Sequence, residues 1–165
     1  MPARSKPSPS EPPARRIILL AFNVRSLWNV GSFFRTCDAF AVEKLWLTGY
    51  TGHPPRKEIA KTALGAEMTV PWEHALDPAP VVDALLANGW EIVSLELTPK
   101  AVPLTEYRPA AKTCLVVGHE LEGVPLPILE KSAAVVQIPM LGSKESLNVS
   151  VAAGIALHYV RTAGG

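Results

Sequence analysis

Cysteine is nearly absent from this sequence: Cys37 and Cys114 are the only two in 165 residues. Both sit among apolar neighbours, and neither belongs to a C-x-x-C or a Cys/His cluster. Zinc ligation and a disulfide framework are therefore not expected, and no metal is assigned. The pair reads as buried free thiols in a reducing compartment. Net charge is scarce as well. Sixteen Lys and Arg against 15 Asp and Glu leave +1, whereas domains that hold nucleic acid by bulk charge are far more basic. Any nucleic-acid role needs a local basic patch, and DNA is not an expected partner. No apolar run approaches the roughly 18 residues that would suggest a membrane span, and the N-terminus lacks the apolar core of a signal peptide. A cytoplasmic protein with no membrane contact is expected. The glycine motifs of phosphate binding are missing too. There is no GxxxxGK[ST] and no GxGxxG, which argues against a Walker-type cradle and against a nicotinamide or flavin site.

What is present suits one globular domain. Apolar residues make up 48% of the chain, enough for a sizeable core at this length. Residues 1–15 carry five of the 16 prolines and almost no apolar bulk, so a disordered tail is expected there. The domain then occupies 16–165. The continuous apolar run at 17–22 predicts a strand buried on both faces, and 44–49, 90–97, 113–118 and 134–139 predict four more strands. Helices are predicted over 28–41, 58–67, 80–88, 125–131 and 147–162. Phe33, Cys37 and Phe40 form the apolar stripe of the first, and Asn88-Gly89 gives the third a stop. Strands alternating with helices predict an α/β fold, a mostly parallel sheet with helices on both faces. Ligands bind such sheets beyond the carboxyl ends of the strands.

Three polar loops fall at those ends. The first, 23–38, holds Asn23, Asn29, Gly31 and Arg35. Asn29 is a candidate helix cap, Gly31 permits close backbone approach, and Arg35 could simply pair with Asp38 on the surface. The second, 118–124, brackets Glu120 between Gly118 and Gly123, and either a close backbone approach or an acidic turn explains it. The third, IPMLGSKESLNVSVAAG over 138–154, places Ser146, Asn148 and Ser150 at a helix start beside Ile138, Met140 and Leu147. Ser and Asn there cap the helix or line a site for a polar ligand. Apolar walls beside free backbone groups suit a flat ring with polar edges, such as adenine.

In this order the three segments resemble the SpoU/TrmH-type RNA 2′-O-ribose methyltransferases of the SPOUT superfamily. The resemblance rests on N-x5-N-x-G-x3-R (Asn23, Asn29, Gly31, Arg35), GHE-x-EGV (118–124) and IPM-x-G-x3-SLNVSVA (138–152). It covers nearly the whole chain beyond the tail.

The resemblance implies a homodimeric enzyme with a C-terminal deep trefoil knot. It implies methyl transfer from S-adenosylmethionine to a ribose 2′-hydroxyl of tRNA or rRNA, leaving S-adenosylhomocysteine. Knotted chains are otherwise very rare, so the knot comes from the resemblance alone. Carried over by motif, Gly118, Ile138, Met140, Ser146 and Leu147 would hold the cofactor. Leu95 joins them by its strand position. Arg35 would act at the 2′-hydroxyl, with Asn29, Glu120, Ser146 and Asn148 completing the polar site. Free Arg is protonated at ordinary pH. Arg35 would thus be a base only if its surroundings depress its pKa; otherwise it stabilises the developing alkoxide. Arg25, Arg56, Lys57 and Lys61 are candidates for a basic rim facing RNA. A non-catalytic RNA-binding module of the same fold is the alternative.

Overall fold

The computed structural model describes residues 15–164; apart from Arg15, the expected tail lies outside them. The chain runs β1 (Arg16–Phe22), α1 (Leu27–Ala39), β2 (Lys44–Thr48), α2 (Lys57–Ala63), β3 (Trp72–Ala75) and α3 (Pro78–Ala87). It continues through β4 (Glu91–Leu95), β5 (Val102–Pro103), β6 (Lys112–Val117), α4 (Leu126–Lys131), β7 (Ala134–Gln137) and α5 (Val149–Thr162). The strands form one seven-stranded sheet in the order β3-β2-β1-β6-β4-β7-β5. Every pairing is parallel.

The apolar run of β1 shows why this sheet needs helices on both faces. Successive side chains of a strand point to opposite sides. Ile17, Leu19 and Ala21 pack against Phe33, Phe34 and Cys37 of α1, Ile59 of α2 and Leu157 of α5. Ile18 and Leu20 pack against Val82 of α3, Ile128 of α4 and Cys114 of β6. The two thiols are thus free, buried and on opposite faces of the sheet. Burial pushes both well above the ordinary thiol pKa.

The five expected strands are all present, and two more appear. Strand β3 reads WEHA, partly exposed at the sheet edge, and β5 is only Val102–Pro103. Neither has an apolar run to announce it, and Pro is tolerated at an edge. Several helix ends also differ from expectation. Helix α1 is capped by Ser26, whose side chain accepts the Asn29 N–H, so Asn29 is not the cap but a buried residue of the first turn. Helix α2 stops at Ala63 because Leu64 and Gly65 both turn left-handed, and a short 3-10 turn fills 66–68.

Topology puts the functional loops side by side. Strands β6, β4 and β7 are consecutive neighbours, so their carboxyl ends open on one edge of the sheet. Strand β7 lies between β4 and β5, so the chain leaving β7 emerges beside the 96–101 connection that joins those two. It then returns across the molecule as α5. Tyr159 anchors that helix by donating its hydroxyl to Tyr107 O at 2.6 Å and Thr105 O at 3.0 Å. Arg161 donates to Phe40 O at 2.9 Å and Ala41 O at 3.0 Å, tying the end of α5 to the end of α1.

Candidate active site

A cavity of about 390 Å³ opens at the carboxyl ends of β4, β6 and β7, bounded by 138–148 and the start of α5. That volume suits a small organic cofactor. All six residues expected at a cofactor, Leu95, Gly118, Ile138, Met140, Ser146 and Leu147, line it. Of the residues expected at the chemistry, Glu120, Ser146 and Asn148 line it as well. Asn29 faces an adjoining groove with Arg25 and Trp28, and this groove shares His119, Glu120 and Asn148 with the cavity. Arg35 lies elsewhere, in a groove between α1 and α5 beside Ser150, Val151 and Ile155. The described residues show no ion pair between Arg35 and Asp38.

The first two sequence segments meet through hydrogen bonds from backbone N–H groups to a carboxylate, and the third meets the second as a wall of the same cavity. The Glu120 carboxylate accepts the N–H of Arg25 at 3.3 Å and of Ser26 at 3.4 Å, joining the second loop to the first. His119 is buried, and its Nδ1 accepts the N–H groups of Leu121 at 3.0 Å and Glu122 at 2.9 Å. A ring nitrogen that accepts carries no proton, so the neutral imidazole is protonated at Nε2. Asn148 caps α5, accepting the Ser150 N–H at 2.9 Å and the Ser150 hydroxyl at 2.7 Å. The cap and the cavity wall are therefore one residue. Ser146 precedes the helix and is exposed.

The glycines of the second loop serve the loop's own packing. A Cβ on Gly118 would stand 2.3 Å from Gly123 O, and one on Gly123 would stand 2.0 Å from a Glu96 carboxylate oxygen. Gly123 also has φ +72°. Gly31 behaves as expected: a Cβ there would stand 2.4 Å from Ile59 O, so α1 and α2 touch at that point.

Reading the sequence alone missed Glu96, Leu97, His119 and Gln137, which also line the cavity. Glu96 fell inside the expected strand 90–97, and no motif singled it out; the strand ends at Leu95. The cavity's electrical character follows from this set. Its lining holds two carboxylates, Glu96 and Glu120, and no Lys or Arg. It is a poor seat for phosphates and a good one for a nucleoside that carries positive charge.

The fold and site define a parallel α/β protein with a nucleoside-sized cavity where the carboxyl ends of β4, β6 and β7 converge. Residues 16–158 match the model of the SpoU rRNA Methylase family, and the chain belongs to that family. Membership brings with it the knotted C-terminal topology expected of the SPOUT fold. The chain is 35% identical over 143 residues to the tRNA (guanosine(18)-2′-O)-methyltransferase of Aquifex aeolicus, covering 86% of this chain and 67% of that protein. It is 32% identical over 146 residues to the Bacillus subtilis 23S rRNA (guanosine(2553)-2′-O)-methyltransferase RlmP, covering 88% of this chain and 58% of that one. The crystal structure of an AdoMet-bound rRNA methyltransferase from Sinorhizobium meliloti superposes with a TM-score of 0.83 at 26% identity, over 91% of this chain and 57% of that one. The chain spans 55–67% of the length of these and similar curated relatives. No helix among the described residues is long and apolar enough to cross a membrane.

Proposed function

We propose that this chain is an S-adenosylmethionine-dependent ribose 2′-O-methyltransferase acting on tRNA or rRNA. The observation that carries the reading is the cavity: apolar walls from Leu95, Ile138 and Leu147, two carboxylates and no basic side chain. Those walls suit adenine, and an acidic lining suits a cofactor that carries positive charge rather than a phosphate chain. Bound there, S-adenosylmethionine supplies a methyl group already activated on its sulfonium and leaves as S-adenosylhomocysteine.

The chain's own residues then position the ribose and manage charge at its 2′-oxygen. Glu120, Asn148 and Ser146 stand where the cavity opens, and Asn29 stands in the groove that shares Glu120 and Asn148. Holding the hydroxyl against the activated methyl converts a bimolecular step into a nearly unimolecular one, and positioning contributes much of the rate. Arg35 acts at the 2′-hydroxyl, as stabiliser of the developing alkoxide or as base. The reading includes a homodimer whose seam covers the groove between α1 and α5 where Arg35 lies. Val151 and Ile155 are exposed in that groove, and a second copy packed over them puts Arg35 at the seam between subunits. Arg25, Arg56, Lys57 and Lys61 are all exposed and form the rim that meets RNA phosphates.

Isothermal titration of the chain with S-adenosylmethionine separates this reading from a binding module of the same fold. Saturable binding at one site per chain is expected. No detectable heat, with RNA still bound, would favour the module.

A further inference from the structure

We propose that Glu96 is the residue of this chain that holds the ribose of the bound nucleoside cofactor, through the two ribose hydroxyls. The proposal rests on the cofactor reading above and goes beyond it, because no sequence motif of the site includes Glu96. The residue immediately follows β4, and its N–H extends the sheet by donating to Val136 O at 3.0 Å. Its half-buried side chain lines the cavity between the strand end and the 118–124 loop. One carboxylate oxygen, Oε2, accepts the Val124 N–H at 2.6 Å. The other, Oε1, takes part in no hydrogen bond among the described residues.

Glycine chemistry shows that this placement is built in. The space a Cβ would occupy at Gly123 is filled by the Glu96 carboxylate, 2.0 Å away from that position. The carboxylate at 96 can thus sit where it does only because residue 123 is glycine. The short bond to Val124 fixes one oxygen, and a fixed oxygen orients its partner.

Position along the cavity selects the ligand group. Leu95 and Leu97, on either side of Glu96, belong to the apolar wall with Ile138 and Leu147. Glu120 and Asn148 line both the cavity and the adjoining groove of Asn29. A nucleoside with its ring on the apolar wall and its sulfur toward Glu120 has its ribose in between, beside Glu96. An ionised carboxylate only accepts, and two vicinal hydroxyls offer it two donors. Acidic residues hold the ribose of dinucleotides by the same chemistry.

The test is a ligand-by-variant cycle read by calorimetry. S-adenosylhomocysteine and its 2′,3′-dideoxyribose analogue are titrated into the unaltered chain, Glu96→Gln and Glu96→Ala. Glu96→Gln keeps an acceptor for the Val124 N–H while removing the charge, so it guards against a loop that merely collapses. The expected result is at least a tenfold loss of S-adenosylhomocysteine affinity in Glu96→Ala and a smaller loss in Glu96→Gln. The analogue should bind all three forms alike. Equal losses for both ligands, or no loss for either, would overturn the assignment. Failure of the unaltered chain to bind S-adenosylhomocysteine would instead overturn the cofactor reading itself.

Discussion

Arg35 is the residue to which the proposed chemistry assigns the ribose 2′-oxygen, and it lies apart from the cavity. It is exposed on α1, outside the cavity that holds every other expected residue but Asn29. Arg35→Ala is expected to lower methyl transfer at least a hundredfold while leaving cofactor affinity within about twofold, since loss of a charge-stabilising donor typically costs 10²–10³ in rate. Single-turnover rates beside a cofactor titration check this. Near-normal turnover would remove Arg35 from the mechanism. Gly31 makes a structural prediction at the same scale. Ala at 31 gains up to about 1 kcal/mol of helix propensity, but its Cβ meets the backbone oxygen of Ile59 2.4 Å away. Overpacking of that kind costs about 1–3 kcal/mol. Gly31→Ala should therefore be less stable by up to about 2 kcal/mol in urea denaturation, and a more stable variant would show that α1 and α2 are not held together there.

Elements were legible where local pattern and tertiary burial agree. The IILLAF run of β1 is apolar at every position because both its faces are covered, so sequence and structure say the same thing. Strand β3 exists only because its backbone pairs with β2; WEHA has no pattern of its own. The cap of α1 was misplaced for a related reason. Asn29 has cap chemistry, but Ser26 three residues earlier supplies the acceptor, and Asn29 is buried in the first turn instead. Asn148 fits both earlier readings at once, as cap of α5 and as cavity wall. Asn148→Ala should therefore cost about 1 kcal/mol of stability from the lost cap and also depress methyl transfer. Thermal melts and initial rates measured together check the pair. A variant that melts lower but turns over normally would leave Asn148 with the capping role alone.

At the scale of the whole molecule, the cavity is assembled from segments far apart in the chain. Leu95, Gly118 and Ile138 come from three strand ends that only the order β6-β4-β7 makes neighbours, and Leu147 comes from the approach to α5. Motif spacing pointed to the glycines and to the 138–148 loop, and the structure puts them together. It could not point to Glu96, because a charge at a strand end is usually just solvated, and the fold alone turns this one into the cavity. RNA binding is likewise a property of the whole surface. With a net charge of only +1, the proposed RNA affinity rests on the local rim of Arg25, Arg56, Lys57 and Lys61. A plot of log affinity against log salt should slope by about −0.7 per single-strand phosphate contacted. Replacing Arg56 and Lys57 together by Ala should flatten it by about 1–2. A slope near zero in the unaltered chain would contradict phosphate contact.

The most direct measurement of the central claim is transfer of a labelled methyl group. The chain is incubated with methyl-tritiated S-adenosylmethionine and unmodified tRNA or rRNA, and the RNA is then digested to nucleosides. The account predicts label in a 2′-O-methylated nucleoside at a discrete site, absent when the RNA is replaced by DNA of the same sequence. Label on a base rather than a ribose, or no transfer to either RNA from a chain that binds the cofactor, would contradict it.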